Sequence, residues 1–316
     1  MHNFLKAIRQ ADNKADYSKL CTQFKDQINQ LIPGEISRDY DQALLHYAAA
    51  LNNVELAAAL IGAGATVDIK DKLGCTPLHR AVYRQATGVM ELLIKAGADL
   101  SAQNKDGLTP AHLAAQSSFV DGLRLLTAAG ANINIPDNDG ALPIHYISGT
   151  LLDLHELFCR DEAWYRLVET EEDDQTEDNT NNIQNLEQNA ENKALVALLF
   201  LLEHGTLVDV VDSQGNTLLI KNIVGTEPAI VETLIAHGAD INHVNSAGET
   251  ALHYLIKGLY CATFDACMAI LLKHGARLDL ADNNGQTPLD LAKITKQRTP
   301  EQRRKLVEIL EQAFVK

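Results

Sequence analysis

The sequence predicts an all-α protein built as a stack of short helix pairs. Four histidines recur at intervals of 33 residues: His46, His79, His112 and His145. Self-similarity at a fixed period of about 20–50 residues is typical of repeat proteins, whose units stack to bury a shared core. Apolar residues make up 46% of the chain and aromatic residues only 5%, so we expect that core to consist of small aliphatic side chains.

The second unit shows how a repeat is built. Residues 71–74 end in glycine and have the composition of a turn. Thr76 and Pro77 then suit the N-cap and the first position of a helix. A second helix is predicted over Val89–Ile94, and Gly97 suits the left-handed conformation that often follows a helix.

This unit is similar to the ankyrin repeat, whose signature is a D-x-x-G-x-T-P-L-H turn and helix followed by L-L-x-x-G-A-D. Both elements recur later in the chain, for example at residues 106–110, 248–253 and 285–290. The resemblance implies an ankyrin-repeat solenoid of about seven helix pairs with finger-like hairpin loops. The predicted repeats are 38–70, 71–103, 104–136, 137–211, 212–244, 245–281 and 282–316.

Each end of the array is predicted to be closed by helices. Residues 1–37 precede the first repeat and are predicted to form an N-terminal helical cap. The apolar residues with helical spacing in this segment are Phe4, Leu5, Ile8, Leu20, Phe24, Ile28 and Leu31. At the other end, Thr299 and Pro300 predict the start of a final helix that runs to Phe314 and closes the stack with a polar outer face.

A long insertion interrupts the fourth unit at residues 150–192. The step from Leu142 to Thr217 is 75 residues instead of 33, which leaves 42 residues between the two helices of this unit. The first part is amphipathic and is predicted to be helical. The second part, 169–192, is acidic and rich in Asn and Gln, so it is predicted to be a loop.

Two interpretations of the insertion stay open. It is a solvated surface loop, which costs little because loop entropy grows slowly with length. Alternatively, it is a second interaction element in which Phe158 and Trp164 anchor a partner. In that case the acidic run between Asp161 and Asp178, with nine acidic residues and one basic residue, attracts a basic surface.

Charge and composition exclude several classes of protein. A net charge of −15 disfavours contact with nucleic-acid phosphates. The most apolar run, 194–202, is far shorter than a membrane span. The five cysteines lack C-x-x-C spacing and indicate reduced thiols, with Cys75 and Cys159 expected at the surface. We therefore expect a soluble cytoplasmic monomer without membrane insertion and without a classical signal peptide.

No catalytic residue, metal or cofactor is predicted from the repeats. The resemblance implies that the recurring histidine bonds within its turn and to the next unit, and Ile220 and Asp290 replace it in the fifth and seventh units. The alternative hypothesis is an enzyme or a metal-dependent site in the insertion. There His155, Glu156 and Cys159 resemble half of an H-E-x-x-H zinc motif.

The resemblance implies a non-catalytic scaffold that binds a partner protein through a concave groove and the hairpin tips. Tyr83 and Arg84 are the strongest candidates, because aromatic and arginine side chains dominate interface energies. All predicted contact residues are Lys72, Leu73, Tyr83, Arg84, Lys105, Asp106, Gln116, Ser117, Phe158, Trp164, Ser213, Gln214, Ala247 and Lys257.

Two further expectations come from resemblance alone. The irregular repeats and the Asn-, Gln- and Lys-rich composition look like ankyrin-repeat effectors of intracellular bacteria, which implies secretion into a host cell and action on host proteins. Asn134 and Asn242 occupy the position at which an asparaginyl hydroxylase modifies ankyrin repeats in animal cells, so modification there is a second hypothesis.

Overall fold

The computed structural model describes residues 14–31, 42–147, 193–224, 226–258, 261–295 and 298–314. These residues form two compact units, which we call unit 1 (up to Asn138) and unit 2 (from Asp139). Nowhere in the described ranges is a helix both long and apolar enough to cross a membrane. The predicted insertion, with Phe158, Trp164 and the half-motif at 155–159, lies outside the described residues.

Unit 1 is a stack of helix pairs. Inner helices α2, α4 and α6 pack side by side, outer helices α3, α5 and α7 form a second row, and α1 packs against α3. The helices are α1 (Lys14–Gln23), α2 (Leu44–Ala50), α3 (Val54–Gly62), α4 (Pro77–Tyr83), α5 (Thr87–Lys95), α6 (Pro110–Gln116) and α7 (Val120–Ala128). The helix pairs predicted from the 33-residue period are therefore confirmed.

The predicted helix ends are also confirmed in the second repeat. Thr76 is the N-cap of α4 and Pro77 its first residue. Helix α5 ends at Lys95 and is followed, after Ala96, by Gly97, whose φ of 84° lies in the left-handed region. The N–H of Ala98 donates to the carbonyl of Leu93 at 3.0 Å, which closes the last turn of the helix.

Three inner helices are followed by a left-handed residue that is not glycine. Asn52, Gln85 and Ser118 have φ angles of 51°, 54° and 49°. This left-handed conformation costs a residue with a Cβ about 1–2 kcal/mol. It lets the chain turn at once from the inner to the outer helix of each pair.

Unit 2 repeats the same plan after a short 3₁₀ helix, Pro143–Tyr146. Inner helices α9, α11 and α13 pack in a row, α10 packs on α12, and α14 packs on α13. The helices are α8 (193–203), α9 (Leu218–Asn222), α10 (Pro228–Ala236), α11 (Ala251–Lys257), α12 (Phe264–Lys273), α13 (Pro288–Ile294) and α14 (Pro300–Phe314). The predicted terminal helix is confirmed: Leu306 and Leu310 are buried on α13, whereas Arg304 and Lys305 are exposed.

One side chain organises each hairpin loop, which we call a finger. In the first described finger, Oδ1 of Asp71 accepts hydrogen bonds from the N–H groups of Leu73 and Cys75, both at 2.9 Å. The residues that do the same in later fingers are Asn104, Asp212, Asn245 and Asp282. We call this position the turn residue of the finger.

The second carboxylate oxygen of Asp71 is buried and needs a cation. Arg80, nine residues later, donates to it from Nη2 at 2.8 Å, and the two side chains are only 5% and 0% exposed. In the next repeat the turn residue is the neutral Asn104, and the residue nine positions later is the buried Leu113. In these two repeats, a charged turn residue is matched by a charged helix residue, and a neutral one by an apolar residue.

Glycines at the finger tips allow neighbouring fingers to touch. A Cβ on Gly107 would lie 2.4 Å from the backbone nitrogen of Asn138 in the next finger. Gly97 has nearly the same φ as Gly107, 84° against 82°, but a Cβ there would meet nothing within 4 Å.

We expect Gly107→Ala to destabilise unit 1 more than Gly97→Ala does. Both variants carry the strain of a positive φ, about 1 kcal/mol, but only the first also pushes two fingers apart. Urea unfolding followed by circular dichroism measures the difference. Equal losses of unfolding free energy in the two variants would show that contact between the tips contributes nothing.

We expect Arg80→Leu to lower the unfolding free energy by about 3–5 kcal/mol, because it leaves the Asp71 carboxylate buried without its cation. The double variant Asp71→Asn with Arg80→Leu copies the pair found at Asn104 and Leu113, so it should recover most of that loss. The same urea titration checks both variants. A double variant no more stable than Arg80→Leu would mean that the two repeats do not use interchangeable pairs.

Candidate functional site

The recurring histidines lie buried at the start of the inner helices. In α4, the N–H and the hydroxyl of Thr76 both donate to Nδ1 of His79, at 3.1 and 2.9 Å. Because a backbone N–H is always a donor, Nδ1 is the acceptor and the ring proton is on Nε2. The same Nδ1 contact forms in His46, His112, His145 and His253.

The Nε2 proton then joins one repeat to the next. His46 donates to the carbonyl of Cys75 at 2.9 Å, and His79 donates to the carbonyl of Leu108 at 3.0 Å. In unit 2, His253 donates to Gln286 at 3.2 Å, and His145 donates to Val210 at 2.8 Å. With both ring nitrogens in use, these histidines have a structural role.

Burial keeps the histidines neutral. It lowers the pKa of His46 and of His79 to about 4, against an ordinary value of 6.5. Burial also lowers the pKa of His145 and of His253. Protonation of Nδ1 would break the bond from the backbone N–H, so acid acts against these contacts.

The predicted tip residues lie side by side, joined through the backbone. In unit 1, the N–H of Lys105 donates to the carbonyl of Leu73 at 2.9 Å, and Asn138 donates to Asp106 at 3.1 Å. In unit 2 the matching bonds are Ser213 to Asp139 (2.7 Å), Ser246 to Gln214 (3.0 Å) and Asn283 to Ala247 (2.9 Å). The backbone of the tips is therefore fixed, and most of the predicted side chains are exposed: Lys72, Lys105, Asp106, Ser213, Gln214 and Ala247.

Tyr83 and Arg84 form a second row of candidate residues, away from the tips. Tyr83 is the last residue of α4 and half-buried, and Arg84 is the exposed residue that caps the helix. Gln116 and Ser117 hold the same positions in α6. The helix separates the two rows by about 10 Å, at 1.5 Å for each of its seven residues.

The side chains of two predicted contact residues form bonds within the protein. The hydroxyl of Ser117 donates to the carbonyl of Leu113 at 2.8 Å. The ammonium group of Lys257 pairs with Glu249 and, at 3.3 Å, with the buried carboxylate of Asp282. Lys257 thus supplies the cation that the turn residue Asp282 needs.

Sequence reasoning missed two exposed apolar residues on the fingers of unit 2. Val211 is 40% exposed and Val244 is 48% exposed, and each directly precedes a turn residue. The same position holds Lys70, Gln103 and Pro136 in unit 1. Comparison of this position across the repeats would have shown the change from polar to apolar.

The expectation that Cys75 is a surface thiol is wrong. Its side chain is fully buried beneath the finger, where burial raises the pKa of the thiol to about 11. A thiol with so high a pKa is a poor nucleophile. Among the described residues, no group of three or more His, Cys, Asp or Glu side chains could hold a metal ion.

The two candidate asparagines differ in their surroundings. Oδ1 of Asn242 accepts from the N–H of Arg277 at 2.8 Å, and Nδ2 donates to the carbonyl of Gly275 at 3.2 Å. Asn134 is exposed, and its N–H donates to the side chain of Asn132. Hydroxylation of either residue stays a hypothesis.

Comparison with known proteins gives consistent results. A family model described as ankyrin repeats matches residues 20–104, 45–137 and 225–310. The neurogenic locus notch homolog protein 1 of Homo sapiens is 38% identical over 143 residues, and that of Danio rerio is 34% identical over 142. Each match covers 45% of this chain but only 5–6% of the relative, so the chain spans a small part of these curated proteins.

Solved structures show the same fold. The ankyrin repeat domain of Bcl-3, described as a member of the IkappaB protein family, aligns with 85% of this chain and 98% of that chain, with a TM-score of 0.58 and 24% identity. The human ASB11 ankyrin repeat domain aligns with 86% of this chain and 98% of that chain, with a TM-score of 0.60 and 18% identity.

We expect the protein to lose stability as the pH falls from about 6.5 to about 4. In this range the histidines of the unfolded chain take up protons that buried His46 and His79 do not, so unfolding is favoured by about 1 kcal/mol per pH unit for each histidine. Above pH 6.5 this contribution to stability is complete. Urea unfolding at several pH values measures the slope.

His79→Gln should be less stable than the parent at pH 7.5 and should show a shallower pH slope. The exposed His274, changed to Gln, is the matched control and should keep the parent slope. If His79→Gln keeps the full slope, His79 is protonated in the folded state and the assigned hydrogen bonds are wrong.

Proposed function

The chain belongs to the ankyrin repeat family, and from that premise we propose that it is a non-catalytic scaffold that binds a partner protein across its fingers and inner-helix ends. The fixed backbone of the fingers carries this proposal. Cross-finger hydrogen bonds and buried turn residues hold exposed side chains in place before a partner arrives. A pre-ordered surface binds more tightly because it loses less conformational entropy on binding.

Tyr83 and Arg84 are the proposed energetic centre in unit 1. Their type favours this role, since tyrosine and arginine combine large contact areas with polar groups at their ends. Their place also favours it, because Arg84 is exposed at the end of a helix whose other residues are almost all buried. Lys72 and Lys105 at the tips are the proposed outer contacts.

We also propose that the protein acts in a cytoplasm, either its own or that of a host cell into which it is delivered. The four described cysteines are not joined in disulfides and three of them are buried, which supports a reducing compartment. The irregular repeats and the Asn-, Gln- and Lys-rich composition support delivery as a bacterial effector. The experiment below therefore captures partners from lysates of the source cell and of the host separately.

We expect Tyr83→Ala combined with Arg84→Ala to weaken partner capture by about tenfold or more, because these side chains supply the central contacts. The full chain is immobilised, the partner is captured and identified, and its affinity is measured with both proteins purified. Thermal unfolding should change little, since neither side chain is fully buried.

Glu91→Ala combined with Lys95→Ala is the matched control. It removes two exposed side chains from the outer helix of the same repeat and should leave capture unchanged. Capture that survives the Tyr83 and Arg84 changes would remove this site from the proposal. A partner found only in the source lysate would remove the host-directed role, and a partner lost when residues 150–192 are deleted would support the insertion as an interaction element.

A further inference from the structure

Unit 2 carries a row of exposed apolar residues on successive fingers. Val211 and Val244, 40% and 48% exposed, occupy the position before the turn residue, and the exposed Ala281 occupies it in the next finger. Leu207, on the same loop as Val211, is 73% exposed. Single exposed apolar residues are ordinary on a protein surface, but a row at equivalent positions of adjacent fingers is a candidate contact surface.

Unit 1 shows where side chains at this position lie. Nζ of Lys70 donates to the carbonyl of Gln103 at 3.0 Å, and Nε2 of Gln103 donates to the carbonyl of Pro136 at 2.9 Å. Each side chain therefore reaches from one finger to the same position of the next. Valine and alanine have no donor for such a bond, so in unit 2 this polar link is replaced by an apolar surface.

The fingers of unit 2 are held together by other contacts. The N–H of Ser246 donates to the carbonyl of Gln214 at 3.0 Å, and Nδ2 of Asn245 donates to Oδ1 of Asn216 at 2.8 Å. Nε2 of His243 donates to the carbonyl of Gly215 at 3.0 Å. Because these bonds fix the fingers, the two valines are not needed to hold them.

The charges beside the row are acidic. Asp209 lies two residues before Val211, and its carboxylate accepts from the N–H of the exposed Asp240 at 3.0 Å. Asp279, two residues before Ala281, is paired with Arg277 at 2.7 Å. Two carboxylates on adjacent fingers disfavour an acidic ligand and favour a basic one.

We propose that this row, which we call the valine row (Val211, Val244 and Ala281), binds a proline-rich extended segment of a partner protein with an apolar residue at every third position and basic residues between. The proposal rests on the proposed function and adds the chemistry of the partner. The segment buries the valines, and its basic side chains face Asp209 and Asp240.

Spacing selects the extended form of the segment. Stacked helices are about 8–10 Å apart, so equivalent positions on adjacent fingers have about the same separation. A polyproline II helix has three residues per turn and rises about 3.1 Å per residue, so every third side chain lies on one face about 9 Å apart. A β-strand shows alternate residues on one face about 7 Å apart, which fits this row less well.

The test uses the full chain and a labelled twelve-residue peptide that repeats leucine, proline and lysine in that order. The control peptide has the same composition, with its four leucines at positions 1, 3, 5 and 7. Fluorescence anisotropy measures both affinities. We expect the peptide with the three-residue repeat to bind about tenfold more tightly than the control peptide. Val211→Ser combined with Val244→Ser should weaken its binding about tenfold.

Val196→Ser combined with Ile294→Ser is the matched protein control. These residues are also in unit 2, are 43% and 53% exposed and lie on helices rather than fingers. The control should change the affinity less than twofold. Equal losses in the two double variants, or equal binding of the two peptides, would overturn the proposal, because both results indicate nonspecific apolar contact.

Two other outcomes would also overturn it. If a peptide with glutamate in place of lysine binds equally well, the partner segment need not be basic. Concentration-dependent dimerisation in sedimentation, lost in the Val211 and Val244 variant, would assign the valine row to a second copy of this chain. If the peptide does not bind but the Tyr83→Ala, Arg84→Ala variant still weakens partner capture, only the valine row is rejected. If that variant does not weaken capture, the proposed site in unit 1 is rejected.

Discussion

The hydrogen bond from a buried histidine to the backbone of the next repeat sets the register of the stack. Its geometry requires a neutral ring with Nδ1 as acceptor, and burial supplies that state by lowering the pKa of His46 and His79 to about 4. A helix pair has too little apolar surface to fold alone, so contacts between neighbours determine whether it folds. The histidine adds a directional bond to those apolar contacts.

The two repeats without this histidine support the same explanation. In the seventh repeat, Asp290 keeps the local bonds to Thr287 through one carboxylate oxygen, but it is shorter than histidine. Helix α14 packs on α13 within this repeat. In the fifth repeat, the side chain of Ile220 cannot make a polar contact. There a hydrogen bond between the side-chain amides of Asn245 and Asn216 joins the fingers instead.

Much of the fold could be predicted from the sequence, because repetition shows every structural residue several times. The helix starts at Thr76 and Pro77, the end at Gly97 and the terminal helix were all predictable from local chemistry. The left-handed Gln85 and the buried Cys75 were not. Gln85 resembles any polar surface residue, and Cys75 is buried only because the next finger covers it, so neither has a local signal.

The candidate site was less predictable for a related reason. Backbone bonds join the tips in both units, so the side chain just before the turn residue can vary: it bonds to the next finger at Lys70 and Gln103 and is exposed at Val211 and Val244. That position varies through Lys70, Gln103, Pro136, Val211, Val244 and Ala281. Positions of this kind are where a repeat protein acquires specificity without loss of stability. The residues that repeat therefore identify the fold, and the position that varies on a fixed backbone, as at Val211 and Val244, is where recognition of a particular partner is expected.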